Sequence, residues 1–114
     1  MWIRVALNKE SVKISDAGNK YIDGDYMEEY YFEKEIASQL DKDGFLKEMW
    51  ESFDAMFDWG DCDFFDSDKC KLFAEWLKKR LSKSISDDVR KIYSVMYDYA
   101  LKAIKNGTGL YFDF

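Results

Sequence analysis

The hydrophobic positions change period along the chain, and these changes predict strands near both ends. Residues 2–7 (WIRVAL) are rich in β-branched and large apolar side chains, which is typical of a strand. Val12 and Ile14 flank a polar residue and indicate a second short strand, after which residues 16–19 supply a turn. Residues 110–114 (LYFDF) alternate with period two and predict a further strand.

Two helical patterns follow the first strands. Asp25 and Glu28 have the spacing of a capping box and predict a helix to about residue 40, although residues 30–32 (YYF) have strand character. Asp43 is a candidate N-cap for a second helix. Beyond it, one apolar helical face is formed by Phe45, Leu46, Met49, Trp50, Phe53, Met56 and Phe57.

Two more helices are expected in the second half. One begins near Asp66 or Ser67 and ends near residue 82, with an inner stripe of Cys70, Phe73, Leu77 and Leu81. The other begins at Ser86, has two aspartates in its first turn, and ends at residues 106–107 (NG). Because this last helix is apolar nearly all round, it is predicted to lie at the centre of the core.

These elements predict an α+β fold that is mainly α. About four helices pack on a small sheet made from the N- and C-terminal strands, since two or three strands alone do not hold a fold. The length of 114 residues indicates a single globular domain, 1–114. No apolar run approaches the roughly 18 residues that a membrane span needs, and no basic leader precedes the first strand. A cytoplasmic protein without membrane contact is therefore expected.

The net charge of −6 conceals a strong asymmetry. Residues 21–68 contain sixteen acidic and three basic side chains, whereas residues 69–114 contain five acidic and ten basic ones. Like charges at this density oppose compaction. Either the acidic side chains are solvated and partly neutralised in space, or they form a docking surface for a basic protein. The candidates for neutralisation are Lys71, Lys78, Lys79 and Arg80.

Residues 57–70 (FDWGDCDFFDSDKC) concentrate the candidate chemistry. The chain has two cysteines and no histidine, which excludes a four-ligand zinc site and any Cys–His or Ser–His pair. A calcium loop counted from Asp61 fails, because Asp66 and Leu72 stand where glycine and glutamate are required. We therefore expect no metal, no cofactor and no enzymatic activity, with an irregular divalent-ion site and a catalytic carboxylate pair as weaker alternatives.

The two cysteines of this stretch, Cys62 and Cys70, are eight positions apart. A disulfide between them is compatible with that spacing. Because disulfides are scarce in the cytosol, two reduced thiols with at least one buried are the favoured interpretation.

The remaining acidic groups of this stretch suggest an interface. Carboxylates around an exposed aromatic ring suit a basic protein, because the charges accelerate encounter and the ring supplies binding energy. The predicted partner-binding residues are Asp54, Asp58, Trp59, Asp61 and Asp63. Nucleic acid is not expected as a partner, since the basic cluster 78–83 lies on the outer side of a helix without a phosphate loop.

A small, acidic, histidine-free and aromatic-rich chain resembles the immunity proteins of bacterial toxin–immunity pairs. These include barstar-like inhibitors, nuclease-colicin immunity proteins and the immunity partners of contact-dependent inhibition systems. The resemblance lies in size and charge, without a motif, and the basic C-terminal half departs from it. It implies a stoichiometric inhibitor that covers the basic active site of a nuclease-type toxin. The alternatives are a non-enzymatic adaptor or regulator of a basic protein, a DNA-mimic inhibitor, or a homodimer that pairs the two halves.

Overall fold

A computed structural model describes residues 1–57 and 62–114 and contains six strands and four α-helices in those ranges. The strands are β1 (Trp2–Ala6), β2 (Val12–Ile14), β3 (Lys20–Ile22), β4 (Met27–Tyr31), β5 (Cys62–Asp66) and β6 (Gly109–Asp113). The helices are α1 (Lys34–Lys42), α2 (Phe45–Phe53), α3 (Ser67–Leu81) and α4 (Asp87–Asn106), with a 3₁₀ turn at Lys9–Ser11. Four strands form one antiparallel sheet in the order β4–β1–β6–β5, and β2 and β3 form a separate antiparallel ribbon.

The first and last strands lie side by side in the middle of the larger sheet. Ile3 is paired with Phe112 and Val5 with Leu110, and all four side chains are fully buried. Alternate residues of these strands point to the opposite, outer face of the sheet. The α+β fold with helices on a sheet of N- and C-terminal strands is thus confirmed, and β4 and β5 extend that sheet on either side.

The predicted starts of the last two helices are also confirmed. Asp66 caps α3, since its carboxylate accepts a hydrogen bond from the Lys69 N–H at 2.8 Å. Ser86 caps α4 by accepting a hydrogen bond from the Val89 N–H at 3.3 Å. As expected for a central helix, α4 contacts α1, α3, β1 and β6. Its buried side chains are Val89, Ile92, Tyr93, Met96, Tyr99, Ala100 and Ala103.

The helix predicted from Asp25 is wrong in its first half. Residues Met27–Tyr31 form strand β4, in which Tyr31 is paired with Trp2, and helix α1 begins only at Lys34. A local capping-box spacing is worth less than the full ladder of hydrogen bonds and side-chain pairs that β1 offers. The β propensity of Tyr30 and Tyr31 predicted the observed strand correctly.

The second helix is shorter than its apolar pattern. It ends at Phe53, because Asp54 adopts a left-handed conformation with φ of 54°. Gly44, not Asp43, occupies its N-cap position. Segment 62–66, for which no strand was predicted, is the edge strand β5. Among the described residues, no helix combines the length and apolar character needed to cross a membrane.

Candidate functional site

The structure describes two of the five predicted partner-binding residues. Asp54 is exposed at the end of α2, where its N–H donates to the Trp50 carbonyl oxygen at 3.1 Å. Asp63 is half-buried in β5, opposite Phe112. The other three, Asp58, Trp59 and Asp61, lie outside the described residues.

Two large apolar side chains are exposed on either side of Asp54. Trp50 keeps 50% of its surface exposed and Met56 keeps 67%, although the helical pattern placed both on the buried face. Glu51 is exposed beside them. We call Trp50, Glu51, Asp54 and Met56 the α2-end surface. It combines an aromatic ring, a thioether and two carboxylates within seven residues.

The apolar stripe of α2 is narrower than its sequence suggests. Phe45, Met49 and Phe53 are its buried residues. Trp50, next to Met49, therefore lies at the margin of the stripe. A ring at such a margin has no sequence signal that separates burial from exposure, and this is why Trp50 was not recognised as a candidate anchor.

Ion pairs neutralise part of the acidic segment. Six of its sixteen acidic side chains pair with lysine or arginine in the described part of the chain, namely Glu28, Glu29, Asp43, Glu48, Glu51 and Asp68. Arg80 and Lys71 contribute as expected, whereas Lys78 and Lys79 form no ion pair with any described residue. Ion pairs therefore neutralise some of the acidic side chains of residues 21–68 and leave others uncompensated.

Asp43 is the centre of a polar network. Its Oδ2 accepts hydrogen bonds from Arg80 Nε at 2.8 Å and from the Tyr93 hydroxyl at 2.7 Å, and Arg80 Nη2 also donates to its carbonyl oxygen. Burial, followed by the hydrogen bond to Asp43, raises the pKa of Tyr93. Since every partner in this network is engaged within the fold, its role is to join α1, α3 and α4.

A cleft of about 710 Å³ lies between the β2–β3 ribbon and strand β5. Its lining comprises Ser15, Gly18, Asn19, Lys20, Tyr21, Cys62, Asp63, Phe64, Asp66, Lys69 and Tyr111. We call it the β5 cleft. The ring of Phe64 lies 5.7 Å from the Lys20 ammonium. Burial, and then a hydrogen bond with Cys62, raises the pKa of Tyr111 to about 12. No pattern in the sequence predicts this cleft.

The two cysteines are free and differ in environment. Cys70 is buried, its thiol donates to the Phe65 carbonyl oxygen at 3.5 Å, and burial raises its pKa to about 12. Cys62 is exposed, with its sulfur 3.7 Å from Asp113 Oδ1. The prediction that at least one of the two thiols is buried is confirmed by Cys70, and the reduced state of both stays a prediction. Within residues 1–57 and 62–114, no three Cys, Asp or Glu side chains are grouped so as to hold a metal ion.

The difference in burial between Cys62 and Cys70 predicts that only the Cys62 thiol reacts rapidly in the native protein. At pH 8 the native protein is expected to release one equivalent of chromophore from an aromatic disulfide reagent, because the thiolate is the reactive form and Cys70 stays protonated. In denaturant two equivalents should appear. A Cys62→Ser variant, which keeps only the buried thiol, should show no rapid reaction until it is unfolded. Rapid labelling of that variant in the native state would contradict the assignment.

Comparison with protein-family models, with curated proteins and with solved structures found no match to this chain.

Proposed function

We propose that this protein is a stoichiometric inhibitor that binds a basic protein, and that its target is the basic active site of a nuclease-type toxin. The observation that supports the proposal is the α2-end surface, where Trp50 is half exposed and is followed along the chain by the exposed carboxylates of Glu51 and Asp54. The exposed half of the indole adds nothing to the stability of the isolated chain, whereas tryptophan is among the residues that contribute most at protein interfaces. The proposal therefore takes Trp50 as the anchor.

The remaining negative charge supports a basic partner. In the described part of the acidic segment, the exposed carboxylates without an ion pair are Asp23, Asp25, Glu33, Glu35, Asp41, Asp54 and Asp66. Uncompensated charge of one sign accelerates encounter with a partner of the other sign. A nuclease must bind phosphates and so has a basic active site, which is a surface that this charge would fit.

The anchor and the charges are expected to affect binding differently. After affinity capture of the partner from the source cells, Trp50→Ala should raise the dissociation rate on the order of 30-fold, with little salt dependence, because it removes packing. The pair Glu51→Gln and Asp54→Asn should instead slow association, and added salt should reproduce that loss in the parent. Asparagine is chosen at position 54 because it tolerates a left-handed conformation.

Matched controls distinguish a specific effect of the α2-end surface from a general effect of removing exposed apolar area or negative charge. Leu72→Ala truncates an apolar side chain that is 65% exposed on α3, and Glu33→Gln with Glu35→Gln removes two exposed carboxylates near the start of α1. Leu72→Ala should bind like the parent, and the Glu33 and Glu35 variant, which changes no residue of the α2-end surface, should slow association less than Glu51→Gln with Asp54→Asn does. Nuclease activity of the captured partner should fall to zero at one equivalent of this protein. An acidic partner, a partner without nuclease activity, or equal effects from site and control variants would refute the proposal.

A further inference from the structure

The charges at the end of α2 oppose its helix dipole. The C-terminus of a helix carries a partial negative charge, which lysine or arginine in the last turn stabilises. The last turns of α1, α3 and α4 each contain at least one basic side chain, whereas the last turn of α2 contains none. It contains Glu51, and Asp54 follows directly after the helix. Both carboxylates therefore lie where the dipole disfavours a negative charge.

The rest of the chain supplies little compensation for these two carboxylates. All lysine and arginine side chains belong to the residues that the structure describes, since residues 58–61 (DWGD) include none. None of them forms an ion pair with Asp54. Glu51 pairs with Lys47 at 3.9 Å, but both side chains are more than half exposed, so the pair contributes little to stability. The negative charge at the end of α2 is thus left for another molecule to balance.

The backbone conformation of Asp54 adds a second cost. Its φ of 54° lies in the left-handed region. Gly107 occupies the corresponding position after α4, with φ of 64°. Glycine is the usual residue at such a position because it has no Cβ to be strained there. An exposed aspartate at the end of α2 is therefore less stable than glycine would be, and strained residues of this kind are concentrated at functional sites.

Trp50 makes the same end of the helix suitable for a positive charge. It lies in the last turn of α2, and half of its surface is exposed. The face of an indole ring attracts cationic side chains through its π electrons. A basic side chain at this position is therefore favoured by the ring, by the carboxylates of Glu51 and Asp54, and by the helix dipole at once.

We propose that the last turn of α2 is less stable in the free protein than it is with a cation beside it, and that a lysine or arginine side chain of the basic partner supplies this charge next to Trp50. The inference rests on the proposed function for the existence of the partner, and it adds which chemical group is bound and where. Binding then stabilises α2, and substitutions that stabilise this end of the free protein weaken binding.

The first test measures the stability of the free protein. Asp54→Gly should raise the melting temperature by about 4 °C, because it removes both the strain and the carboxylate. Ser52→Lys places a cation in the last turn of α2. Its matched control is Ser94→Lys, the same substitution at an exposed position in the middle of α4. At low salt Ser52→Lys should exceed this control by about 2 °C, and in about 1 M salt, where charges are screened beyond roughly 3 Å, the difference should vanish.

The second test uses a hexaarginine peptide as the probe, titrated into the full chain while backbone amide signals are followed by NMR. The peptide should shift the amides of residues 50–55. Ser52→Lys should bind it about fivefold more weakly than Ser94→Lys does, because the helix end already has its cation. Trp50→Ala should weaken binding by a similar factor, whereas Leu72→Ala, which truncates an exposed side chain of α3, should not.

Three results would overturn the inference. They are a melting temperature of Asp54→Gly no higher than that of the parent, equal melting temperatures of Ser52→Lys and Ser94→Lys at low salt, and hexaarginine binding that leaves the amides of residues 50–55 unshifted. Neither test uses the captured partner. A captured partner without nuclease activity would therefore refute the proposed function and leave these results unaffected.

Discussion

Asp43→Ala is expected to lower the free energy of unfolding by about 3 kcal/mol, because it leaves a guanidinium and a buried hydroxyl without their shared acceptor. Tyr93 is fully buried, and the side chains of Arg80 and Asp43 are each only 18% exposed. Urea denaturation monitored by tryptophan fluorescence gives the value. Asp41→Ala, two residues away and exposed, is the matched control and should change stability by less than about 0.5 kcal/mol.

A double-mutant cycle identifies the origin of that loss. In a Tyr93→Phe background the hydroxyl is absent, so Asp43→Ala should cost less than it does in the parent. Equal costs in the two backgrounds would show that Tyr93 does not depend on Asp43. Equal effects of Asp43→Ala and Asp41→Ala would show that the hydrogen bonds of Asp43 do not contribute measurably to stability.

Gly109→Ala is expected to destabilise the protein by a similar amount, about 3 kcal/mol, through steric overlap. A Cβ at this position would lie 2.5 Å from the Phe65 carbonyl oxygen and closer still to Cζ of Phe64. The backbone oxygen belongs to a paired strand and has little freedom to move. Thermal unfolding followed by circular dichroism should show a large fall in melting temperature.

Gly18→Ala is the matched control for this glycine. Gly18 lies in an exposed turn with φ of 84°, and nothing would lie within 4 Å of an added Cβ. Its cost should be limited to backbone strain, about 1 kcal/mol. Phe64→Ala combined with Gly109→Ala should recover part of the loss, since only the contact with the Phe65 oxygen then remains. Gly109→Ala that melts like the control would refute the close packing of Phe64 on β6.

Local signals predicted the parts of the fold that depend on local contacts. The caps Asp66 and Ser86 were identified correctly because an N-cap hydrogen bond joins residues three apart. The edge strands were not identified, because their stability comes from distant partners. β4 is held by β1 and β5 by β6, so Tyr31 depends on Trp2 and Phe64 on Tyr111. The two aspartates of residues 62–66 (CDFFD) are not typical of a strand, and only the pairing with β6 explains why this segment forms one.

The candidate site was only partly accessible to sequence reasoning. Charge counting located the acidic segment but not which carboxylates are neutralised, because Glu28 pairs with Lys102, 74 residues away. Helical periodicity assigned Trp50 to the core because it does not resolve the margin of an apolar stripe. The β5 cleft depends on where the β2–β3 ribbon packs, and two three-residue strands have too short a pattern to indicate their neighbours.

The adjacency of β1 and β6 has a consequence for how the chain matures during synthesis. β4 emerges soon after β1 and can pair with it at once, but β6 is translated about 80 residues later, which corresponds to roughly 4–16 s at ordinary elongation rates. Throughout that interval Ile3 and Val5 have a strand on one side only. The nascent protein therefore presents an apolar edge that other chains can join, and contacts this distant in sequence also form slowly. Pulse-labelling of nascent chains should show that the β1 amides that face β6 become protected from hydrogen exchange only when β6 has left the ribosome.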